Sequence, residues 1–376
     1  MTPSTLATPS VLSARELKWL ERAEALAAGG WGMVHPNPMV GCVIVKDDVT
    51  VGEGYHERFG GPHAEVIALE SAGSQARGAT AYVSMEPCNH VGKTPPCTLA
   101  LLEAGIARVV YGATEPGTES AGGDPHLSAA GVQMVGPIYS AVEARRRNIV
   151  FFHNVEERST YVALKLAVSL DGHIARTAGE RTALTGPLAH EEVHRLRAGF
   201  DAIMIGATTA QVDDPLLTVR GTVRARVAPT RIVLDTHCRL TAAAGLFNDI
   251  DTAPVIVFTS EGAGESSVVA LRSAGASVVR VAMSEHGLDL ATVMNYCWKA
   301  GITSVLCEGG GTLASALIKA RLARRLYMFV APVVLGEDGV PAFPDLAFAD
   351  TPRGWDAVGE PTRFGDDVLT ILEPGD

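Results

Sequence analysis

Cysteine, aromatic residues and basic clusters are all scarce in this chain, and each scarcity removes a class of protein. Six cysteines among 376 residues are too few for a disulfide framework. Aromatic residues make up only 6%, and no stretch approaches the roughly 20 apolar residues of a membrane-spanning helix. The opening MTPSTLATPS reads as a polar tail, too weakly apolar for a secretory signal. These features lead us to expect a cytoplasmic chain with reduced cysteines and no membrane partner. Lysine and arginine number 31 against 42 acidic residues, a formal net charge of −11. Nucleic-acid binders usually carry a basic face, because phosphate neutralisation dominates their affinity. The densest basic run, EARRRN (Glu143–Asn148), reads as the solvated surface of a helix. Small substrates are therefore expected and nucleic acid is not, although a local basic pocket can still hold a phosphate.

What is present is ample apolar material, 47% of the chain, enough for two ordinary domains. SARELKWLERAEALAAGG predicts an amphipathic helix, opened by a Ser13–Glu16 capping box and ended by Gly29 and Gly30. MVGCVIVK (Met39–Lys46), VGEGY (Val51–Tyr55), ATAYVSM (Ala79–Met85) and ARVVYGA predict strands. HAEVIALESA and PPCTLALLEAG predict helices between them, the second with proline in its first turn. RRRNIVFFHNVEERS (Arg145–Ser159) predicts one closing helix and a connector. The pattern then restarts with YVALKLAVSL, and DAIMIGA, TRIVLD, PVIVFTS, ASVVRVA and ITSVLCE predict further strands with helices between most of them. Alternating β and α implies sheets covered by helices, an α/β class. The expected domains are 1–157 and 158–376.

Two of the few cysteines fall in one turn-rich loop, MEPCNHVGKTPPC, with eight residues between Cys88 and Cys97. Upstream lies HAE, with His63 and Glu65 at the start of a predicted helix. One imidazole and two thiolates form a donor set that zinc prefers, and three protein ligands leave a fourth tetrahedral position open for water. Glu65 lies two residues from His63 and can move a proton without binding the metal. Cys97 sits where a helix dipole favours thiolate. The pattern of metal ligands plus a non-ligand glutamate is that of a zinc deaminase.

VHPNPMVGCVIVKDD (Val34–Asp48), GPHAEVIAL and EPCNHVGKTPPC together resemble the deaminase half of the bifunctional riboflavin-biosynthesis deaminase/reductase family. LKLAVSLDGHIA (Leu164–Ala175), DDPLLTVR (Asp213–Arg220), RIVLD and CEGGGTLASALI resemble its reductase half. The resemblance implies a cytidine-deaminase-like α/β/α sandwich followed by a dihydrofolate-reductase-like α/β domain. It implies zinc and NADPH as cofactors, and phosphorylated pyrimidines as substrates. The first step is hydrolytic deamination of 2,5-diamino-6-ribosylamino-4(3H)-pyrimidinone 5′-phosphate, and the second is reduction of its ribosyl chain to ribityl. Carried over by position, His63, Cys88 and Cys97 bind zinc, Glu65 shuttles the proton, and Asn37, His90 and Lys93 hold pyrimidine or phosphate. In the second half Lys165 and Glu308 are the implied catalytic groups. Arg181, Arg197, Leu217 and Arg220 face substrate, and Ala167, Thr209, Asp213, Gly310, Gly311 and Thr312 line NADPH. The resemblance also implies a homo-oligomer, a dimer or tetramer.

One stretch departs from the family pattern. GERTALT (Gly179–Thr185) stands where the family has G-[ED]-S-x-W-I-T. Arg181 replaces a serine that contacts substrate, and Ala183 replaces a tryptophan beside the cofactor. Losing a buried tryptophan face removes on the order of 1–3 kcal/mol of contact. This leaves open a second reading, a working deaminase joined to an altered or inactive reductase in a related specialised pathway.

Overall fold

The computed structural model describes residues 12–92, 94–285, 287–351 and 354–375. The chain divides into two compact units, Met1–Glu157 and Arg158–Asp376.

The first unit opens with helix α1 (Ala14–Ala27), capped as its sequence requires: the Ser13 backbone N–H donates to Glu16 at 2.8 Å and the Glu16 N–H donates to the Ser13 hydroxyl. Strands β1 (Gly41–Lys46) and β2 (Val49–Tyr55) form a hairpin through Asp47 and Asp48, both at positive φ, the backbone a two-residue turn needs. Strands β3 (Thr80–Met85), β4 (Arg108–Ala113) and β5 (Gln133–Val135) complete a sheet in the order β2-β1-β3-β4-β5. Here β3, β4 and β5 run parallel, while β1 is antiparallel to β3. Side chains alternate across the sheet. Cys42 and Ile44 pack beneath helices α2 (Ala64–Ala72), α3 (Cys97–Ala104) and α4 (Gly123–Ala129), with Ala68, Leu101 and Leu127. Val43 and Val45 pack on the other face, against Leu20 and Ala23 of α1.

Sequence reading did not include α4 or β5, and the structure departs from expectation at two further places in this unit. Helix α3 begins at Cys97 itself; Pro96 is the cap rather than part of the first turn. The closing helix is two helices, α5 (Ala141–Arg147) and α6 (Ile149–Glu157), broken at Asn148. The Asn148 side chain accepts from the Met39 N–H (2.8 Å) and donates to its carbonyl (3.0 Å), tethering the junction of the two helices to the Met39 backbone. The EARRRN run is not simply solvated, since Arg147 lies 3.9 Å over the Tyr139 ring and Arg145 pairs with Glu156 at 2.8 Å.

The second unit comprises β6 (Tyr161–Val168), β7 (His173–Ala175), α7 (Pro187–Ala198), β8 (Ala202–Gly206), α8 (Ala207–Asp213) and β9 (Thr230–Leu234). It continues with β10 (Val255–Ser260), α9 (Glu265–Ser273), β11 (Ser277–Val281), β12 (Met283–Ser284), β13 (Gly287–Leu288), α10 (Leu290–Lys299) and β14 (Ser304–Cys307). It ends with α11 (Gly311–Lys319), β15 (Ala323–Val330), β16 (Val340–Pro341), β17 (Trp355–Ala357), β18 (Thr362–Phe364) and β19 (Asp367–Pro374). The main sheet runs β11-β10-β9-β8-β14-β6-β15-β19-β17, with β18 on β19. It is parallel from β11 to β15 and antiparallel beyond. The six strands read from sequence are all present. Sequence reading missed β15 and the antiparallel strands after it. In β15 the charge of Arg325 disguises a buried strand, because its side chain is buried and paired with Glu373 of β19. Strands β8, β14 and β6 are neighbours, and loops leaving the C-terminal ends of parallel strands are where α/β sheets build ligand sites. No described helix is long and apolar enough to cross a membrane.

Candidate active sites

His63 caps α2, Cys88 follows β3, and Cys97 is the first residue of α3. The fold brings their ligand atoms within 4.8 Å of one another. His63 Nδ1 lies 3.2 Å from the Cys97 sulfur and 3.5 Å from the Cys88 sulfur, so Nδ1 is the nitrogen facing both thiols. Its Nε2 lies 3.4 Å from the Thr94 hydroxyl, which orients the ring from behind. Two convergent sulfurs and one imidazole nitrogen fit zinc in chemistry and spacing. The two thiols lie close enough to shift each other's ionisation. Hydrogen bonds from the Cys97 thiol and from His63 lower the Cys88 pKa, and the resulting charge, with burial, raises that of Cys97.

Glu65 lies in the first turn of α2 and is only 3% exposed. Burial raises its pKa, and the charge of Cys88 adds to the effect. A cavity of about 350 Å³ opens on this cluster, lined among others by Asn37, His56, Glu65, His90, Glu115 and Phe151. The buried Nδ1 of His90 has no hydrogen-bond partner among the described residues. Lys93 lies outside the described residues. The Asn37 amide nitrogen donates to His56 Nε2 at 3.1 Å, and His56 Nδ1–H donates to the Pro62 carbonyl at 2.9 Å. Burial lowers the His56 pKa, which favours the neutral ring. Sequence reasoning did not single out His56, Glu115 or Phe151. His56 and Glu115 sit in loops outside any motif spacing, and Phe151 reads as ordinary helix core.

Helix α4 fixes the loop that carries Cys88. Gly123, its first residue, approaches so closely that a Cβ there would lie 1.9 Å from the Pro87 carbonyl oxygen. Gly123→Ala must displace Pro87 and with it Cys88. The expected result is a destabilisation of about 1–3 kcal/mol and less than one bound zinc per chain, read by thermal melting and metal analysis.

In the second unit Lys165 projects from β6, half-buried, with its Nζ 5.6 Å from the Phe329 ring centre. Burial lowers its pKa, and Glu308 opposes that effect. Glu308 directly follows β14 and is held by Arg197 in a two-pronged ion pair, Nε at 2.6 Å and Nη2 at 2.9 Å. The third guanidinium nitrogen, Nη1, donates to the Thr218 carbonyl at 3.1 Å. Burial opposes ionisation of Glu308, but Arg197 more than compensates and its pKa falls. Leu217 is buried at φ +49°, a rare backbone for a branched side chain, immediately before that Thr218 carbonyl. Arg181, Ala183 and Arg220 are exposed. Asp213 ends α8; burial raises its pKa, and Arg181 and Lys165 pull it back. The Gly310 N–H donates to the Thr209 hydroxyl at 3.2 Å, joining α8 to the start of α11. Gly311 has no room for a side chain, since a Cβ would lie 2.7 Å from the Pro341 and Ala342 carbonyl oxygens. Thr312 is exposed and Ala167 half-buried. The structure thus gathers Lys165, Glu308 and Arg197 directly. The Arg197 fork holds the Glu308 carboxylate and the Thr218 carbonyl.

Residues 14–113 match the cytidine and deoxycytidylate deaminase zinc-binding region, and residues 160–362 match the RibD C-terminal domain. The riboflavin biosynthesis protein RibD of Escherichia coli is 40% identical over 89% of this chain and 93% of its own length. That of Haemophilus influenzae is 35% identical over 96% and 98%. The chain belongs to the RibD family. A solved RibD structure from Acinetobacter baumannii superposes with a TM-score of 0.81 at 34% identity, covering 96% of this chain and 99% of that one. The diaminohydroxyphosphoribosylaminopyrimidine deaminase/5-amino-6-(5-phosphoribosylamino)uracil reductase of Thermotoga maritima gives 0.80 at 32%, with the same coverage. Members of this family are bifunctional enzymes of riboflavin biosynthesis, and the chain is a zinc-dependent deaminase joined to an NADPH-dependent reductase. The matches run through the GERTALT segment and favour two activities over the reading in which the reductase is lost.

Proposed function

We propose that the unit 1–157 deaminates 2,5-diamino-6-ribosylamino-4(3H)-pyrimidinone 5′-phosphate and that the unit 158–376 reduces the ribosyl chain of the product to ribityl. The observation that carries the reading is His63 Nδ1 facing two thiols at 3.2 and 3.5 Å in a cavity that also holds Glu65. His63, Cys88 and Cys97 hold zinc, which supplies the Lewis acidity that makes water nucleophilic at neutral pH. Glu65 takes a proton from the attacking water at its carboxylate and delivers it to the departing amine, so ammonia leaves and a carbonyl remains. Asn37, His90 and Lys93 bind the substrate, and a His90 Nδ1 without a partner among the described residues supports a polar contact there.

In the reductase unit Ala167, Thr209, Asp213, Gly310, Gly311 and Thr312 bind NADPH, which supplies the hydride. The N-terminus of α11, bared by glycine, suits a phosphate. Lys165 offers a proton at Nζ to the sugar oxygen as the ring opens, and Glu308 holds Lys165 in place. Arg181, Arg197, Leu217 and Arg220 shape the substrate side, and Arg197 also pairs with Glu308. The protein acts in the cytoplasm as a homo-oligomer, without nucleic acid.

A single preparation tests this reading. The zinc-loaded chain is given the diaminopyrimidine phosphate and NADPH, and ammonia release and NADPH oxidation are followed separately. Both signals are expected. Ammonia without NADPH oxidation restores the altered-reductase reading; no ammonia overturns the deaminase assignment.

A further inference from the structure

We propose that His56 is a positioning residue of the deaminase cavity: it fixes the Asn37 amide so that its carbonyl oxygen is presented to an N–H donor on the pyrimidine. This rests on the assignment of Asn37 to substrate binding above. His56 is 2% exposed and sits just past β2. Its Nδ1 lies 2.9 Å from the Pro62 carbonyl oxygen, which can only accept, so Nδ1 carries the ring proton. In the neutral ring Nε2 is then an acceptor. The Asn37 atom 3.1 Å away must be the amide nitrogen, because the flipped amide sets two acceptors against each other. A backbone carbonyl thereby dictates, through one imidazole, which way an asparagine in the cavity wall points. The amide oxygen is left for the cavity that Asn37 lines.

The chemistry selected is a ring with an N–H beside the carbon that bears the leaving amine. A 2-aminopyrimidin-4(3H)-one has that donor at N3. A cytosine has an acceptor nitrogen beside its amine. His56 also packs edge-on against His63, with ring centroids 5.1 Å apart, so a test must separate orientation of Asn37 from support of the zinc ligand.

A double-mutant cycle on the full zinc-loaded chain does so, with ammonia release from the diaminopyrimidine phosphate as readout and cytidine 5′-monophosphate as competing substrate. His56→Phe is expected to lower kcat/KM about 10- to 100-fold, mainly through KM, and to narrow discrimination against the cytosine nucleotide, with zinc near one per chain. His56→Gln, which can accept from Asn37 or donate to Pro62, recovers activity to within about 10-fold of the parent. In an Asn37→Ala background, His56→Phe changes kcat/KM by less than about 2-fold. His56→Leu is carried through the same cycle, so that poor folding of one variant does not decide the result. A His56 effect of full size in the Asn37→Ala background, or activity loss that follows zinc loss, overturns the proposal. Asn37→Ala with unchanged KM instead removes Asn37 from substrate binding, a failure of the underlying assignment.

Discussion

Glu65→Gln is expected to lower ammonia release by about 10³-fold or more while zinc stays near one per chain. The amide is nearly isosteric and keeps hydrogen-bonding capacity, but it cannot accept the proton of the attacking water. Glu65 is 3% exposed, and burial raises its pKa, so the native carboxylate carries a desolvation cost. Replacing it with a neutral group does not lower stability by that route. The variant is therefore expected to melt at or above the parent temperature, retain metal, and fail in one step only. Its NADPH oxidation with the already deaminated substrate is expected at the parent rate. Retained ammonia release would remove Glu65 from proton transfer, and loss of zinc together with activity would make it a structural member of the metal site.

The mirror experiment is in the second unit. Lys165→Ala is expected to lower NADPH oxidation by about 10²-fold or more and leave ammonia release at the parent level. Glu308→Gln is expected to do the same at a larger cost in stability. The two side chains of its ion pair are 11% and 9% exposed, and removing one partner strands Arg197 without its counter-charge. Breaking a buried pair in this way costs about 3–5 kcal/mol. Lys165→Ala removes a half-buried amine whose burial already disfavours its charge, so its melting temperature should change much less. Comparing the two variants separates chemistry from folding. Loss of ammonia release in either would contradict the division of activities between the units.

How much of this was legible in the sequence depends on the distance over which each feature is determined. Strands β1 to β4, β6, β8 to β11 and β14 were readable because each is a short apolar run bounded by turn residues. The α1 cap was readable because Ser13 and Glu16 are three residues apart and satisfy each other. The zinc ligands and Glu65 were readable because their spacing reflects local turns at two helix starts. Tertiary structure decided the rest. The partner of the Asn148 side chain at the helix break is Met39, 109 residues away in sequence. Strand β15 became visible only when Arg325 met Glu373 across the sheet. Nothing local shows that Arg197 bonds Glu308 and the Thr218 carbonyl. His56 carried no signal at all, since its role lies in the directions of two hydrogen bonds from one ring. The sequence by itself made most of the elements and a candidate metal-binding set legible, through periodicity and short spacing, and its motifs carried the resemblance to the family. Which polar groups face a ligand and which face each other was settled only by packing, which sets the partners and the local dielectric.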